Sequence, residues 1–435
     1  MEFLKRYLHA NSGTMVNERF TLWSGISLLA TVAGRRIYID HGHFQILPNM
    51  YICLVGRMGL RKSVPKDFAR DLLQEALPDY PLGNSTMSRE FAVKYLSSDA
   101  CLRSYTDEHG NLIEWHPCGF YIDELKNFMS VDIEKMVAFL TEIYNRPFFD
   151  AGTIKHGLQI IPRPCVNILA CETPDWIIEK FKSNILTGGF ARRMLYVYVI
   201  DPSPERIAFP EKTQSQFEAQ NWCKEHLRKI QKVVGKIQWE PKAKKFFADW
   251  FRALPHQSNP ILEGFYENKD IIVSKVAMAL CLAYEEPNLV FTQTLIEGAI
   301  EIVEQLEDNL PKLTAAVGRN PLGVAQQRLL QLIEARNGMM LESVFHRAAS
   351  AELTENEYRQ VMEYFQKTDQ LYVRRIVAPN GTQPSIVVTP KWLEINDKAF
   401  QKPVTELPET NKENGPTNSQ TPPAGPPEPT PPPVG

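Results

Sequence analysis

An α/β fold built on a mainly parallel sheet is predicted by three features of this sequence. Five apolar residues, 51–55, run straight into a glycine-containing turn and a Lys62-Ser63 pair, the pattern of a buried strand that passes through a tight loop into a helix. A second apolar run, 119–122, ends in Asp123-Glu124. Across residues 46–205 short apolar runs alternate with stretches of helical period, as parallel strands joined by helices require.

Around this core the chain divides by pattern. Residues 1–45 are an N-terminal extension, with a helical period over 20–33 and a short strand at 36–39. Residues 206–315 turn helical, with apolar side chains at helix spacing over 246–254, 271–284 and 295–310, and form a helical lid. Residues 316–397 carry helical patterns at 324–334, 341–349 and 354–365, then β-rich runs at 371–378 and 386–389 joined through Pro379-Asn380-Gly381. Three helices followed by a β-ribbon predict a winged-helix domain, with Thr354 and Glu357 as the capping box of its third helix. Asn356, Arg359 and Gln360 are its candidate nucleic-acid contacts, and docking of another protein is the alternative use of such a domain. Residues 398–435 are predicted to be a disordered proline-rich tail, since 401–435 hold eleven prolines and almost no large apolar side chains.

Composition narrows the classes available. A chain of 435 residues with 43% hydrophobic content can bury a large core. Its seven cysteines form no C-x-x-C pair and read as reduced thiols. No apolar run reaches the length of a membrane span and no signal peptide is evident, so a cytoplasmic protein without membrane contact is expected. The net charge of −3 excludes a global positive field; contact with nucleic acid would need a local basic feature.

The chemistry lies in the turn after residue 55. Gly56, Arg57, Met58, Gly59, Leu60, Arg61, Lys62 and Ser63 read as a phosphate-binding loop, whose backbone N–H groups and helix N-terminus attract anions. Lys62 is the candidate for the β- and γ-phosphates of ATP and Ser63 for Mg²⁺. Arg61 stands where the pattern G-x-x-x-x-G-K-[ST] asks for glycine. Asp123 is the second candidate metal ligand, and Glu124 is the candidate base for an attacking water.

Downstream, two β-prone runs at 148–154 and 157–161 bracket Lys155-His156. A basic pair at a hairpin tip is either a solvated turn or a grip on a phosphate backbone. The apolar run 165–170 leads to Thr173, the candidate polar contact near the γ-phosphate. Arg192 heads another buried strand and is the candidate to reach a neighbouring subunit's nucleotide. Lys275, on a lid helix, is assigned to complete the nucleotide site from above. Eight Lys or Arg residues fall between Cys223 and Lys245, and a solvated helix face is the default explanation for them.

With these residues in place the chain resembles a large family of phage and prophage P-loop ATPases, often found as the helicase half of primase-helicase proteins and similar to superfamily 3 and minichromosome-maintenance-like AAA+ ATPases. The resemblance covers roughly residues 15–310. It rests on Trp23-Ser-Gly, Gly34-Arg35-Arg36, Pro48-Asn49-Met50-Tyr51, the loop through Ser63, Asp123-Glu124, Thr173-Pro174 and Gly189-Phe190-Ala191-Arg192. It implies an AAA+-like P-loop domain with a helical lid and an oligomeric, ring-forming, DNA-stimulated ATPase. Such an enzyme acts as a helicase-like motor on single-stranded or forked DNA, with ATP and Mg²⁺ between subunits. Family members often carry Arg before the P-loop Lys. No primase module is visible, so any primase would be a separate chain. Two other expectations remain open: an ATPase that loads or remodels another helicase, and an initiator that binds nucleotide and DNA without hydrolysis.

Overall fold

Tyr51–Val55 is buried at every position, and that five-residue run is an interior strand of the molecule's main sheet. The computed structural model describes residues 1–153, 157–182, 188–203, 207, 209–255, 264–308, 313, 322–350, 353–376 and 381–396. The chain divides into two compact units, 1–320 and 321–435.

The first unit opens with helices α1 (Glu2–Ala10) and α2 (Glu18–Ala33) and the short strands β1 (Ile37–Asp40) and β2 (Gln45–Ile46). Strand β3 (Tyr51–Val55) leads through the loop into α3 (Ser63–Ala76), and α4 (Arg89–Leu96) precedes strands β4 (Arg103–Thr106) and β5 (Leu112–Ile122). Helices α5 (Leu125–Phe128) and α6 (Ile133–Ile143) lead to a hairpin of β6 (Phe148–Thr153) and β7 (Gly157–Pro162). Strand β8 (Pro164–Glu172), helices α7 (Pro174–Lys182) and α8 (Gly188–Ala191), strand β9 (Met194–Tyr198) and helix α9 (Gln214–Ile230) follow. Helices Pro241–Arg252, Lys269–Leu282 and Gln293–Glu307 come next, with short strands at Gly235–Lys236, Gln238–Trp239 and Val290–Phe291.

The main sheet has the order β4-β5-β8-β3-β9. Strands β5, β8, β3 and β9 all run parallel, with Val55 beside Glu172 and Tyr198 and Ile122 beside Ala170. Their carboxyl ends therefore share one edge. Strand β4 is antiparallel because it joins β5 through a tight turn, where Asp107 Oδ1 accepts from the backbone N–H groups of His109 and Asn111.

The N-terminal extension is part of this core. Helix α2 is buried along nearly its whole length, as a helix apolar on all faces must be. Helix α1 packs on α9 and α2, with Phe3 and Tyr7 fully buried. One hydrophobic core runs from Phe3 to Leu313.

In the second unit helices Gly323–Glu334, Glu342–Ala349 and Glu355–Lys367 accompany strands Met339–Leu341, Tyr372–Arg375 and Ser385–Val388. The last strand lies between the other two and is antiparallel to both. Thr354 and Glu357 form a capping box: Thr354 Oγ1 accepts from Glu357 N, while Glu357 Oε2 accepts from Thr354 N at 2.8 Å. The strand Met339–Leu341 was not anticipated; only three residues long, it carries too little pattern to read. Phe345, Val361 and Phe365 centre a separate core. The predicted proline-rich tail lies outside the described residues. Among the described residues no helix is long and apolar enough to cross a membrane.

Candidate functional site

The loop 56–63 leaves the carboxyl end of β3, the edge at which open α/β sheets bind ligands. Gly56 is buried and tightly enclosed: a Cβ there would meet Leu60 Cδ1 at 2.8 Å. Gly59 has φ +88° with no atom near a notional Cβ, so its need for glycine is conformational. Arg61 takes φ +55°. The residue that departs from the glycine pattern thus adopts the left-handed backbone a glycine would supply.

Helix α3 begins at Ser63 with Lys62 as its N-cap, and Pro65 lies in the first turn, where a missing N–H costs little. Lys62 Nζ donates to Gly56 O at 2.6 Å and Arg57 O at 3.1 Å, so the ammonium folds back over the loop's own carbonyls. Burial holds its pKa below the ordinary lysine value, against the opposing influence of Cys171, Cys53, Glu172 and Glu124. Arg57, Met58, Gly59, Arg61 and Ser63 are exposed, and Leu60 is buried beneath them.

Asp123 and Glu124 follow β5 at the same edge. Lys66, one helical turn beyond Lys62, has a fully buried side chain; its Nζ bonds Asp123 Oδ1 at 2.6 Å and Asp67 Oδ1 at 2.8 Å. Burial opposes the charge, yet the hydrogen bonds that Lys66 donates to Asp123 and Asp67 outweigh it and raise the Lys66 pKa. Glu124 is held at its Oε2 by Asn127 Nδ2 at 2.8 Å and Lys126 Nζ at 3.2 Å.

Thr173 also reaches this edge, since Gly56 N donates to the carbonyl of Glu172 just before it. Glu172 itself is only 2% exposed. Its carboxylate accepts from Lys126 N at 2.8 Å, Thr173 N at 2.7 Å and Thr173 Oγ1 at 3.2 Å. It ties the acidic turn to the end of β8. Glu172 and Lys66 are the two site residues that sequence reasoning missed. An acidic residue ending an otherwise apolar strand and a second lysine four residues after the first were the available signals.

Beside the loop lies a cleft of about 540 Å³, lined by Asn11, Ser12, Thr14, Arg61, Val64, Phe68 and Lys212 among others. Gln216 Nε2 braces its rim by donating to Ser12 O at 2.9 Å.

Two assigned residues lie elsewhere. Lys275 does not come to the loop, which corrects its assignment to the nucleotide site. Its Nζ donates to Leu47 O at 2.7 Å, Asn49 O at 2.8 Å and Asn49 Oδ1 at 3.2 Å, all ahead of β3. Five residues of strand, roughly 17 Å, separate those atoms from the loop. Burial lowers its pKa to about 7. Asn49 Nδ2 in turn donates to the Tyr144 carbonyl at 2.8 Å, so the Lys275 and Asn49 side chains lock the helix Lys269–Leu282 to the entry of β3. Arg192 likewise precedes β9, beside the amino end of β3. It is exposed and stands a strand's length from its own loop.

Strands β6 and β7 pair from Phe148↔Pro162 to Thr153↔Gly157; Lys155 and His156 lie outside the described residues. In the basic stretch, Lys224 pairs with Glu75, Arg228 with Glu225 and Lys229 with Glu286, as a solvated helix face does.

Hard oxygen donors suit Mg²⁺, which takes one or two protein oxygens and completes its shell with phosphate and water. Ser63 and Asp123 supply such donors, and no cluster of three or more His, Cys, Asp or Glu side chains suited to a metal occurs among the described residues. No protein-family model matches the chain, and no curated protein is significantly similar to it.

Proposed function

We propose that this chain is an AAA+-like P-loop ATPase that works as an oligomeric, DNA-stimulated, helicase-like motor in phage or mobile-element DNA replication. What supports this is the convergence of three separate segments on one sheet edge: the loop with Lys62 and Ser63 together with Lys66 one turn further on, the acidic turn with Asp123 and Glu124, and Thr173. The strand order favours it too, because β8, which ends just before Thr173, lies between the loop strand and the acidic strand, so a ligand at that edge would meet all three.

In this function Lys62 neutralises the β- and γ-phosphates and the exposed loop N–H groups orient them. Glu124 accepts a proton from, or aligns, the attacking water. Mg²⁺, held by Ser63 and Asp123, would screen the phosphate charge. The cleft beside Arg61 and Phe68 has the volume for a nucleoside. Arg192 serves the next subunit, which makes an assembly necessary for turnover. The second unit, with its three helices and three-stranded ribbon, fits a winged helix that docks DNA or a partner such as a separate primase.

The test is ATP turnover with and without single-stranded DNA, beside sizing in ATP. Turnover that DNA stimulates, accompanied by assembly and lost in Lys62→Ala, is the expected result. Wild-type turnover in Lys62→Ala would overturn the assignment of the loop.

A further inference from the structure

Arg36 is a buried cation with no carboxylate partner. It is 7% exposed and among the described residues it forms no ion pair; its Nη2 donates to Val32 O, and its guanidinium lies 5.4 Å from the centroid of Trp115. Its Nε and the Trp115 Nε1 are both buried without a hydrogen-bond acceptor. The last carbonyls of α2 carry partial negative charge, and the indole face adds a modest attraction. Neither replaces a full counter-charge, and burying an uncompensated charge is costly. Burial correspondingly lowers the Arg36 pKa.

These two side chains line a cleft of about 590 Å³ that also receives Arg103, Arg228 and Lys232. Arg103 spends its donors on the carbonyls of Ala100, Leu102 and Asp79, so among the described residues its charge also lacks a carboxylate. Arg228 is shared between Glu225 and the carbonyls of Glu75 and Ala76. The only acidic side chain on the lining is Asp79. The cleft lies at the carboxyl end of α3, away from the glycine loop.

We propose that this cleft is a second anion site, taking a phosphate group either free or carried in a polynucleotide backbone. The uncompensated charge of Arg36, the Lys232 ammonium at the rim and the Arg103 charge, which is met only by carbonyls, together suit a multiply charged phosphate better than a single carboxylate. The site is independent of the loop and does not rest on ATP hydrolysis.

The experiment silences the loop first. Lys62→Ala protein is titrated by calorimetry with pyrophosphate, with acetate as the monoanion control, and with a short single-stranded DNA. The same titrations are run on Lys62→Ala carrying Arg103→Gln and Lys232→Gln, which alter the cleft's rim and leave buried Arg36 in place. Circular dichroism checks that both proteins fold alike.

Binding of pyrophosphate and not acetate, weakened about tenfold or more by the two rim changes, is expected from the loss of two positive charges at the rim. If the oligonucleotide binds and weakens in parallel, its backbone is the source of the phosphate; if only pyrophosphate does, the ligand is a free anion. Equal affinity in both proteins, acetate binding as tightly as pyrophosphate, or no binding of either phosphate species to Lys62→Ala would overturn the proposal.

Discussion

Lys66 Nζ lies 2.6 Å from Asp123 Oδ1, so the carboxylate assigned to the metal is held by a buried ammonium from the helix that the loop begins. A carboxylate so engaged is oriented, and part of its charge is already neutralised. Lys66→Met should therefore let Mg²⁺ act at lower concentration, because Asp123 regains its full charge. The check is the Mg²⁺ concentration at half-maximal nucleotide binding, alongside Mn²⁺ affinity by electron spin resonance. A higher requirement in the variant would show instead that Lys66 positions Asp123 for the metal. Both acidic partners are partly exposed, so the stability loss should stay on the order of 1 kcal/mol.

Arg61 gives a test of loop geometry that needs no activity. A non-glycine residue in the left-handed region costs roughly 1–2 kcal/mol, which glycine escapes. Arg61→Gly should consequently be more stable than Arg61→Ala by about 1 kcal/mol, after glycine's greater unfolded-state freedom is allowed for. Calorimetric unfolding of the two variants decides it. Equal stabilities would mean that the loop does not hold position 61 at positive φ.

Lys275 predicts a pH dependence. Its folded pKa, lowered by burial to about 7, lies below the ordinary lysine value, so between those two pH values the unfolded chain binds the extra proton. Stability then rises with pH across that window, and the cost of the buried charge is fully present only below it. Lys275→Met should lack this rise. The measurement is the difference in unfolding free energy between wild type and variant from pH 6 to 10. A constant difference would show that Lys275 keeps its proton throughout.

These three residues also mark how far the sequence could be read. The loop, the acidic strand and the hairpin strands were legible because each is a local pattern: an apolar run, a glycine turn, an abrupt pair of carboxylates. Lys66 was not, since its partner Asp123 is distant in sequence and only the packing of α3 against the sheet joins them. Lys275 was placed on a correctly read helix but at the wrong end of β3. Helical period gives a buried face and says nothing of which strand end that face meets. Arg36 stands in the run Gly34-Arg35-Arg36, yet its missing counter-charge depends on Trp115 and on the cleft beyond it.

Arg192 separates an assembly with shared sites from a chain that hydrolyses ATP alone. It precedes β9 at the edge opposite the loop, and its exposed side chain packs across Gly264, where a Cβ would stand 2.8 Å from Arg192 Cγ. No rotation of the side chain carries it over the length of β3 to its own Lys62. Arg192→Ala should therefore bind ATP with unchanged affinity while turnover falls at least a hundredfold, as loss of a charge that acts on the developing transition state does. Mixed with Lys62→Ala, which keeps Arg192 but lacks a working loop, it should regain activity at interfaces that pair an intact loop with an intact arginine. The mixture is titrated at constant total protein, with subunit exchange verified by sizing of tagged chains. Activity that peaks at intermediate ratios supports a site shared between subunits. A flat response in freely exchanging assemblies would confine catalysis to one chain and leave Arg192 with the cleft it shares with Arg193 and Lys275.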